Sequence, residues 1–295
     1  MTSVAAPRTW RGSAQAYIAL TKPKIIRLLL ITTVPTMFVA AGGWPDFWLV
    51  LATLVGGSLA AGSANAFNCW ADRDIDARMR RTSQRPLVLD AVAPERALLF
   101  GALLGVASFV WLTALVNLLA AALALAANAF YVGVYTLWLK RRSTQNIVIG
   151  GAAGCMPVLV GWAAVTGTVE LPAILLFAIV YYWTPPHFWA LALRYREDYA
   201  NAGVPMLPVV VGVAETTRQI RLYSVLLVAV SLMFGAVAEM GLLYLATAVV
   251  LGWMLLARAQ RLRREQTEAV AMGLFHFSIT YLGVLFAVMA VDAVI

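Results

Sequence analysis

Asn68, Asp72 and Asp76 recur every four residues in the stretch Asn65-Ala-Phe-Asn68-Cys-Trp-Ala-Asp72-Arg-Asp-Ile-Asp76. On a helix, about 100° per residue puts the three on one face, with roughly 80° of drift from first to last. Asp74 falls off that face. An amide and two carboxylates supply hard oxygen ligands, and Arg78, Arg81 and Arg85 follow directly. That combination suits a hard cation and an anion held together. Mg²⁺ bridging to a diphosphate is the natural candidate, because Mg²⁺ takes one or two carboxylates and completes its shell with phosphate oxygens and water. Guanidiniums clamp phosphate oxygens bidentately. A solvated loop whose charges only set topology explains the stretch less well, since acids contribute little to topology. The three side chains are expected to face a wet cavity at the membrane edge.

The elements that must position this face are read from composition and hydropathy. The chain of 295 residues is 62% hydrophobic and 12% charged, with a mean hydropathy of +0.82. A soluble domain carries about 25% charged residues. The fold class is therefore all-α, a polytopic membrane protein. Spans of about 20 apolar residues are predicted at 25–44, 47–68, 96–116, 118–139, 145–166, 171–193, 219–238, 241–257 and 270–291, nine in all. Gly42-Gly43-Trp44-Pro45-Asp46, Asn117 and Thr166-Gly167-Thr168 mark tight connections.

All 22 Lys and Arg residues lie on the N-terminal side or in the even-numbered connections. The odd connections and the C-terminus hold only Asp46, Glu170, Glu239 and Asp292. By the positive-inside rule the N-terminus is cytoplasmic and the C-terminus lies outside. The net charge of +8 is thus a topological signal, and no nucleic-acid partner is needed to explain it. The tail with Arg8 and Arg11 has no apolar core of a secretory signal and reads as a bacterial cytoplasmic tail rather than a transit sequence. Cys69 and Cys155 have no metal-ligand or disulfide spacing and read as small buried hydrophobes. The chain is expected to be a single transmembrane domain over 1–295, with a cytoplasmic tail at 1–24 and two longer cytoplasmic connections, at 69–95 and 194–218, that carry the active site.

The second connection opens with Trp183-Thr-Pro-Pro-His-Phe-Trp189. Pro185 and Pro186 are expected to break or kink the sixth helix. An ionisable group inside a span is a functional-site hypothesis by default, so His187 is a candidate. The plainer reading is a histidine bonded to a neighbouring helix. Arg194 and Asp198, four apart, are either site residues or an ordinary exposed ion pair. Lys140, Arg141 and Arg142, after Tyr135, serve either as anchors to anionic lipid or as further diphosphate contacts. His276 reads as a packed helix-interface residue.

Asn68-x3-Asp72-x3-Asp76 followed by Arg81-Thr82-x2-Arg85-Pro86 resembles the first signature of the UbiA superfamily of intramembrane prenyltransferases. Thr21-Lys22-Pro23, Tyr135-Thr136-x3-Lys140-Arg141, Asn146-Ile-Val-Ile-Gly-Gly151, the Trp183–Trp189 segment and Asp198-Tyr199-x3-Gly203-x-Pro205-Met206-Leu-Pro208 resemble its protohaem IX farnesyltransferase family. The resemblance implies a helical bundle with a central cavity. It implies transfer of a farnesyl group from farnesyl diphosphate to a vinyl group of haem b, with Mg²⁺ on Asn68, Asp72 and Asp76. Asp72, Asp76, Arg194 and Asp198 would be catalytic. Asn68, Arg81, Arg85, Tyr135, Lys140, Arg141 and His187 would bind substrate; the position of His187 beside the two prolines, and that alone, suggests that it ligates or orients haem iron. A downstream haem A synthase is an implied partner, and the bacterial inner membrane rather than the mitochondrial one the implied location.

Where that superfamily's second motif is Asp-x3-Asp, this chain has Arg194-x3-Asp198, which leaves a second metal without its carboxylate pair and implies that Arg194 contacts substrate or diphosphate. Two other functions compete: a prenyltransferase with an aromatic or quinone-precursor acceptor, and a haem-binding assembly factor or transporter without catalysis. The transporter gives no reason for the Asn68–Asp76 face.

Overall fold

The computed structural model describes residues 13–295, so Arg8 and Arg11 of the N-terminal tail lie outside the described residues. Nine helices among them are long and apolar enough to cross a membrane, which makes this a multi-pass membrane protein. A short helix, α1 (Ser13–Leu20), precedes α2 (Pro23–Ala41) and α3 (Phe47–Ala71). The first long connection holds α4 (Arg73–Arg78) and leads into α5 (Pro94–Leu115) and α6 (Leu118–Ala129). That span continues through a π-helical segment, Phe130–Leu139, into α7 (Lys140–Arg142). Two pieces, α8 (Asn146–Gly150) and α9 (Ala152–Thr166), make the fifth span. The sixth is α10 (Leu171–Arg194). The second connection holds α11 (Arg196–Asn201) and α12 (Leu207–Val210), and α13 (Gly212–Val237), α14 (Leu242–Glu265) and α15 (Glu268–Asp292) complete the bundle.

The outer turns follow from local chemistry. Asp46 caps α3 by accepting from the Leu49 N–H at 2.7 Å, the ordinary role of an N-cap carboxylate. Asn117 accepts from the Ala120 N–H at 2.8 Å and donates to the Ala163 carbonyl at 2.7 Å, so one residue both caps the start of α6 and ties the turn to α9. Consecutive spans pack side by side, and α15 returns against α2 to close the ring. With no hydrophobic drive between helices in lipid, close backbone approach matters. At Gly56 of α3 a Cβ would stand 2.4 Å from Leu112 of α5, so only glycine fits that crossing.

Several spans run past their predicted ends. The eighth, predicted as the shortest, extends through Glu265, and the seventh begins at Gly212. Both continue as charged helix beyond the apolar run, which hydropathy alone does not register. The sixth helix is not broken at Pro185 and Pro186 but runs unbroken to Arg194. Both prolines are buried in the bundle, and the Thr184 hydroxyl donates to the Val180 carbonyl at 2.8 Å. Neighbouring helices and such hydroxyls are what allow proline inside a span.

The two connections are packed on one another. Ile75 and Met79 of the first share an apolar cluster with Tyr199, Val204 and Met206 of the second, together with Ile147 and Ala192. Below it, α1 packs Ala16 and Leu20 against Ala66, Cys69, Leu87 and Val92. The polar residues of both connections are thereby fixed over one end of the bundle.

Candidate functional site

Asn68 lies in the last buried turn of α3, and Asp72 follows as its C-cap, with φ −95° and ψ 7°. The helix bends there, yet Asp72 N–H still reaches Asn68 O at 2.9 Å and Asp76 N–H reaches Asp72 O at 2.7 Å. The four-residue spacing therefore keeps its meaning across the bend. The face is not wet, as the sequence suggested. Asn68, Asp72 and Asp76 are all buried, because α1, the π-helical segment and the rest of the first connection close over them.

A charge buried in this way must be paired, and each of these is. Asn68 Nδ2 donates to Asp72 Oδ2 at 2.8 Å and to Thr136 Oγ1 at 3.0 Å, while its Oδ1 accepts from Lys22 Nζ at 2.5 Å. Lys140 Nζ is paired with Asp72 Oδ2. Arg85 Nη1 donates to Asp76 Oδ2 at 2.5 Å, and the Thr82 hydroxyl donates to the Asp76 carbonyl at 3.0 Å. Asp74 turns off this face, as expected, but it grips Arg141 bidentately at 2.7 and 2.8 Å. The hydrogen-bonded guanidinium holds Asp74 down at about 2. Arg141 in turn stands 4.0 Å from Asp72 Oδ1. Lys140 and Arg141 thus belong to the site and not to a lipid anchor.

The π-helical segment explains how Tyr135, Thr136 and Lys140 reach it. Such widened turns are rare and recur at functional sites. Here it seats Tyr135 against Gly150, where a Cβ would come within 2.1 Å of the ring. Tyr135 lies in the field of Asp72, Arg81 and Arg85.

Lys22, quoted in the Thr-Lys-Pro motif but given no role from sequence, is the residue that reading missed. It sits between α1 and α2 at φ 52°, a region unusual for a side-chain-bearing residue. Burial, opposed in part by nearby acids, lowers its ammonium to about 8. A lone Lys before an apolar run looks like a topology signal. The left-handed turn ahead of Pro23 is what aims it inward.

The second connection departs further from expectation. Arg194 and Asp198 do not pair. The helix ends at Tyr195, which breaks the i, i+4 relation. Buried Asp198 instead accepts from Arg80 Nε of the first connection at 3.2 Å. Arg81 and Arg194 both lie over Tyr195, at 5.6 and 5.9 Å from its ring centroid. Arg81 is therefore not among the cations holding Asp72 and Asp76.

His187 is buried, stacked between Trp183 and Phe275 at centroid distances of 4.3 and 4.5 Å, with Nδ1 2.8 Å from the Ser278 hydroxyl. That environment fits a packed histidine better than an iron ligand. His276 is exposed on α15 rather than packed between helices. Both cysteines are free and buried, in keeping with a role as small hydrophobes.

Beneath the charged cluster an apolar cavity of about 150 Å³ opens between α2, α3, α6 and α9. Ile25, Leu29, Ala61, Ala127 and Met156 line it, with Asn65 and Tyr131 on its polar side.

Among the described residues no three His, Cys, Asp or Glu side chains are arranged to hold a metal. A cation here must rest on two carboxylates and an amide. Asp72 Oδ1 is buried and accepts no hydrogen bond. Buried oxygens are rarely left so, and a free carboxylate oxygen beside other hard donors fits a hard divalent cation.

Residues 29–280 match the UbiA prenyltransferase family. A protoheme IX farnesyltransferase of Parafrankia sp. (strain EAN1pec) is 56% identical over 96% of this chain and 91% of its own. The chain belongs to the protoheme IX farnesyltransferases of the UbiA family. Protoheme IX farnesyltransferase 1 of Saccharopolyspora erythraea is also 56% identical, over 98% of this chain and 94% of its own. Two solved structures share the fold. One is a digeranylgeranylglyceryl phosphate synthase, 19% identical, with a TM-score of 0.80, covering 96% of this chain and 99% of its own. The other is a UbiA homologue from Archaeoglobus fulgidus bound to GPP and Mg²⁺, 17% identical, with a TM-score of 0.67, covering 93% and 99%.

Proposed function

We propose that this protein transfers the farnesyl group of farnesyl diphosphate to a vinyl group of haem b in the bacterial plasma membrane, giving haem O, and that one transmembrane domain with two cytoplasmic connections does so. The observation that carries the reading is a cluster of carboxylates and cations set directly over an apolar cavity, in a chain of this family. The cavity takes the isoprenoid chain and the cluster takes the diphosphate.

Asn68, Asp72 and Asp76 would hold Mg²⁺, and the homologue solved with GPP and Mg²⁺ supports that choice. Bound there, Mg²⁺ supplies charge neutralisation of the diphosphate leaving group. The chain's own residues do the rest. Lys140, Arg85, Arg141 and Lys22 already line the carboxylates, so they are in place to take phosphate oxygens as the C1–O bond of the donor breaks. Preorganised charge of this kind is usually the largest part of catalysis. Tyr135 lies over the same cluster, where its ring face borders the allylic carbon's cation. The apolar walls keep water from that cation until the vinyl carbon has attacked. Water then adds to the carbon next to the porphyrin ring and loses a proton, so the product gains one farnesyl and one hydroxyl.

The test is direct. Membranes containing the protein are supplied with haem b, farnesyl diphosphate and Mg²⁺, and extracted haems are analysed by mass. A haem heavier by a farnesyl and a hydroxyl is expected, together with loss of product on chelation. Diphosphate release only when a phenolic acceptor is added moves the protein to an aromatic acceptor and overturns this reading.

A further inference from the structure

The charges of the two connections are paired unequally, and two unpaired guanidiniums that share one aromatic ring mark a second subsite. Around Asp72 and Asp76 the cations facing the site are committed to carboxylates or to the Asn68 amide. At the rim of the bundle an open polar pocket of about 370 Å³ lies between the connections, lined by Arg80, Arg81, Arg194 and Tyr195 and by three acids. Arg80 is bound to Asp198 and stands 4.0 Å from Glu197. Glu268 lies in the first turn of α15, where the helix N-terminus favours its charge. Arg81 and Arg194 have no carboxylate partner among the described residues. Each instead lies over the face of Tyr195. Two guanidiniums held near one ring, both exposed and neither neutralised, repel each other unless an anion joins them. A guanidinium presents a flat pair of donors that matches a carboxylate.

We propose that Arg81 and Arg194, set on Tyr195, form the subsite that receives the two propionate carboxylates of the porphyrin acceptor. The inference rests on the haem reading above and adds how the acceptor is recognised and oriented. In protohaem the propionates and the vinyl groups occupy opposite edges of the macrocycle. Carboxylates clamped at the wet rim leave the vinyl edge directed inward. Arg81 also lies within electrostatic reach of Tyr135, so this rim adjoins the cluster where the donor's C1 is placed. The subsite also gives a physical reason for an arginine at position 194 where a second carboxylate pair would otherwise stand, since an acid there would repel a dianionic acceptor.

The experiment compares haem b with its dimethyl ester as acceptor, in the wild type and in Arg81→Gln, Arg194→Gln and the double variant. The wild type is expected to use the ester with KM raised at least about tenfold, the loss set by charge-assisted hydrogen bonds. The double variant should lose about as much on haem b, stop distinguishing the acid from the ester, and keep its KM for farnesyl diphosphate. Arg81→Lys and Arg194→Lys should recover part of the discrimination, and haem titration by Soret absorbance reads the binding without turnover. A raised KM for farnesyl diphosphate with acid-over-ester preference intact assigns both arginines to the donor and overturns the subsite. A wild type that prenylates no porphyrin, acid or ester, overturns the haem reading itself and the subsite with it.

Discussion

The two longer connections are packed on one another yet built on unlike electrostatic plans. In the first, Asp72 and Asp76 are buried and matched, Asp72 by Lys140 from the link between the fourth and fifth spans, while exposed Arg81 has no acid. Asp72 with Lys140, Asp76 with Arg85 and Asp74 with Arg141 form ion pairs. In the second, one buried acid, Asp198, borrows its partner from the first connection, and Arg194 is left over. A matched buried cluster costs little to hold empty and can exchange partners when a metal and a diphosphate arrive. An unmatched exposed pair is held open for an anion. Two substrates of unlike chemistry thus meet two unlike sites on one apolar platform.

This comparison breaks most decisively at the buried acids. Asp72→Asn and Asp76→Asn keep volume and hydrogen bonding but remove a charge, and each is expected to lower kcat by about a thousandfold. If both variants stay within tenfold of wild type in a haem mass assay, the first connection is not the diphosphate site. Lys140→Met and Arg85→Gln remove the cations instead, with an expected loss of about a hundredfold in kcat. Added Mg²⁺ should recover little of it, which a metal titration of each variant checks. Below both connections, Gly57 lines the apolar cavity and a Cβ there would meet nothing within 4 Å. Gly57→Leu fills that space. It should shift preference from farnesyl towards geranyl diphosphate by about tenfold, measured as a ratio of kcat/KM values. An unchanged ratio would remove the cavity from the donor site.

Much of the first connection was legible because its information is local. The four-residue spacing survives the bend at Asp72, and an apolar run before it announces the span. The nine spans follow from hydropathy, and the described residues hold nine helices long and apolar enough to cross a membrane. The second connection was less legible because its pairing is non-local. Arg194 and Asp198 look like a helical pair until the helix ends between them, and nothing in sequence joins Asp198 to Arg80, 118 positions away. Pro185 and Pro186 suggested a break, yet tertiary packing carries the helix through them. Lys22 was hidden because its aim depends on one backbone angle. His187 looked functional because ionisable residues in spans often are, and only the rings of Trp183 and Phe275 show what encloses it.

The smallest expected effect is also the sharpest control, because it sets two arginine–aspartate bonds side by side. Arg85 and Arg80 each donate to a buried carboxylate, Asp76 and Asp198. The Arg85 side chain is 26% exposed and that of Arg80 is 80% exposed. Water already solvates Arg80, so the pair contributes on the order of an exposed salt bridge, about 1 kcal/mol or less. Arg80→Gln should then change kcat less than about fivefold, and the wild-type difference should shrink further at high salt, where exposed charges are screened. Arg85→Gln removes a half-buried cation from a carboxylate that has little water to replace it, so its loss should be far larger and resist salt. Equal losses in the two variants would mean that Asp198 is as central as Asp76. The second connection would then be a matched catalytic cluster like the first, and the contrast between them would fail.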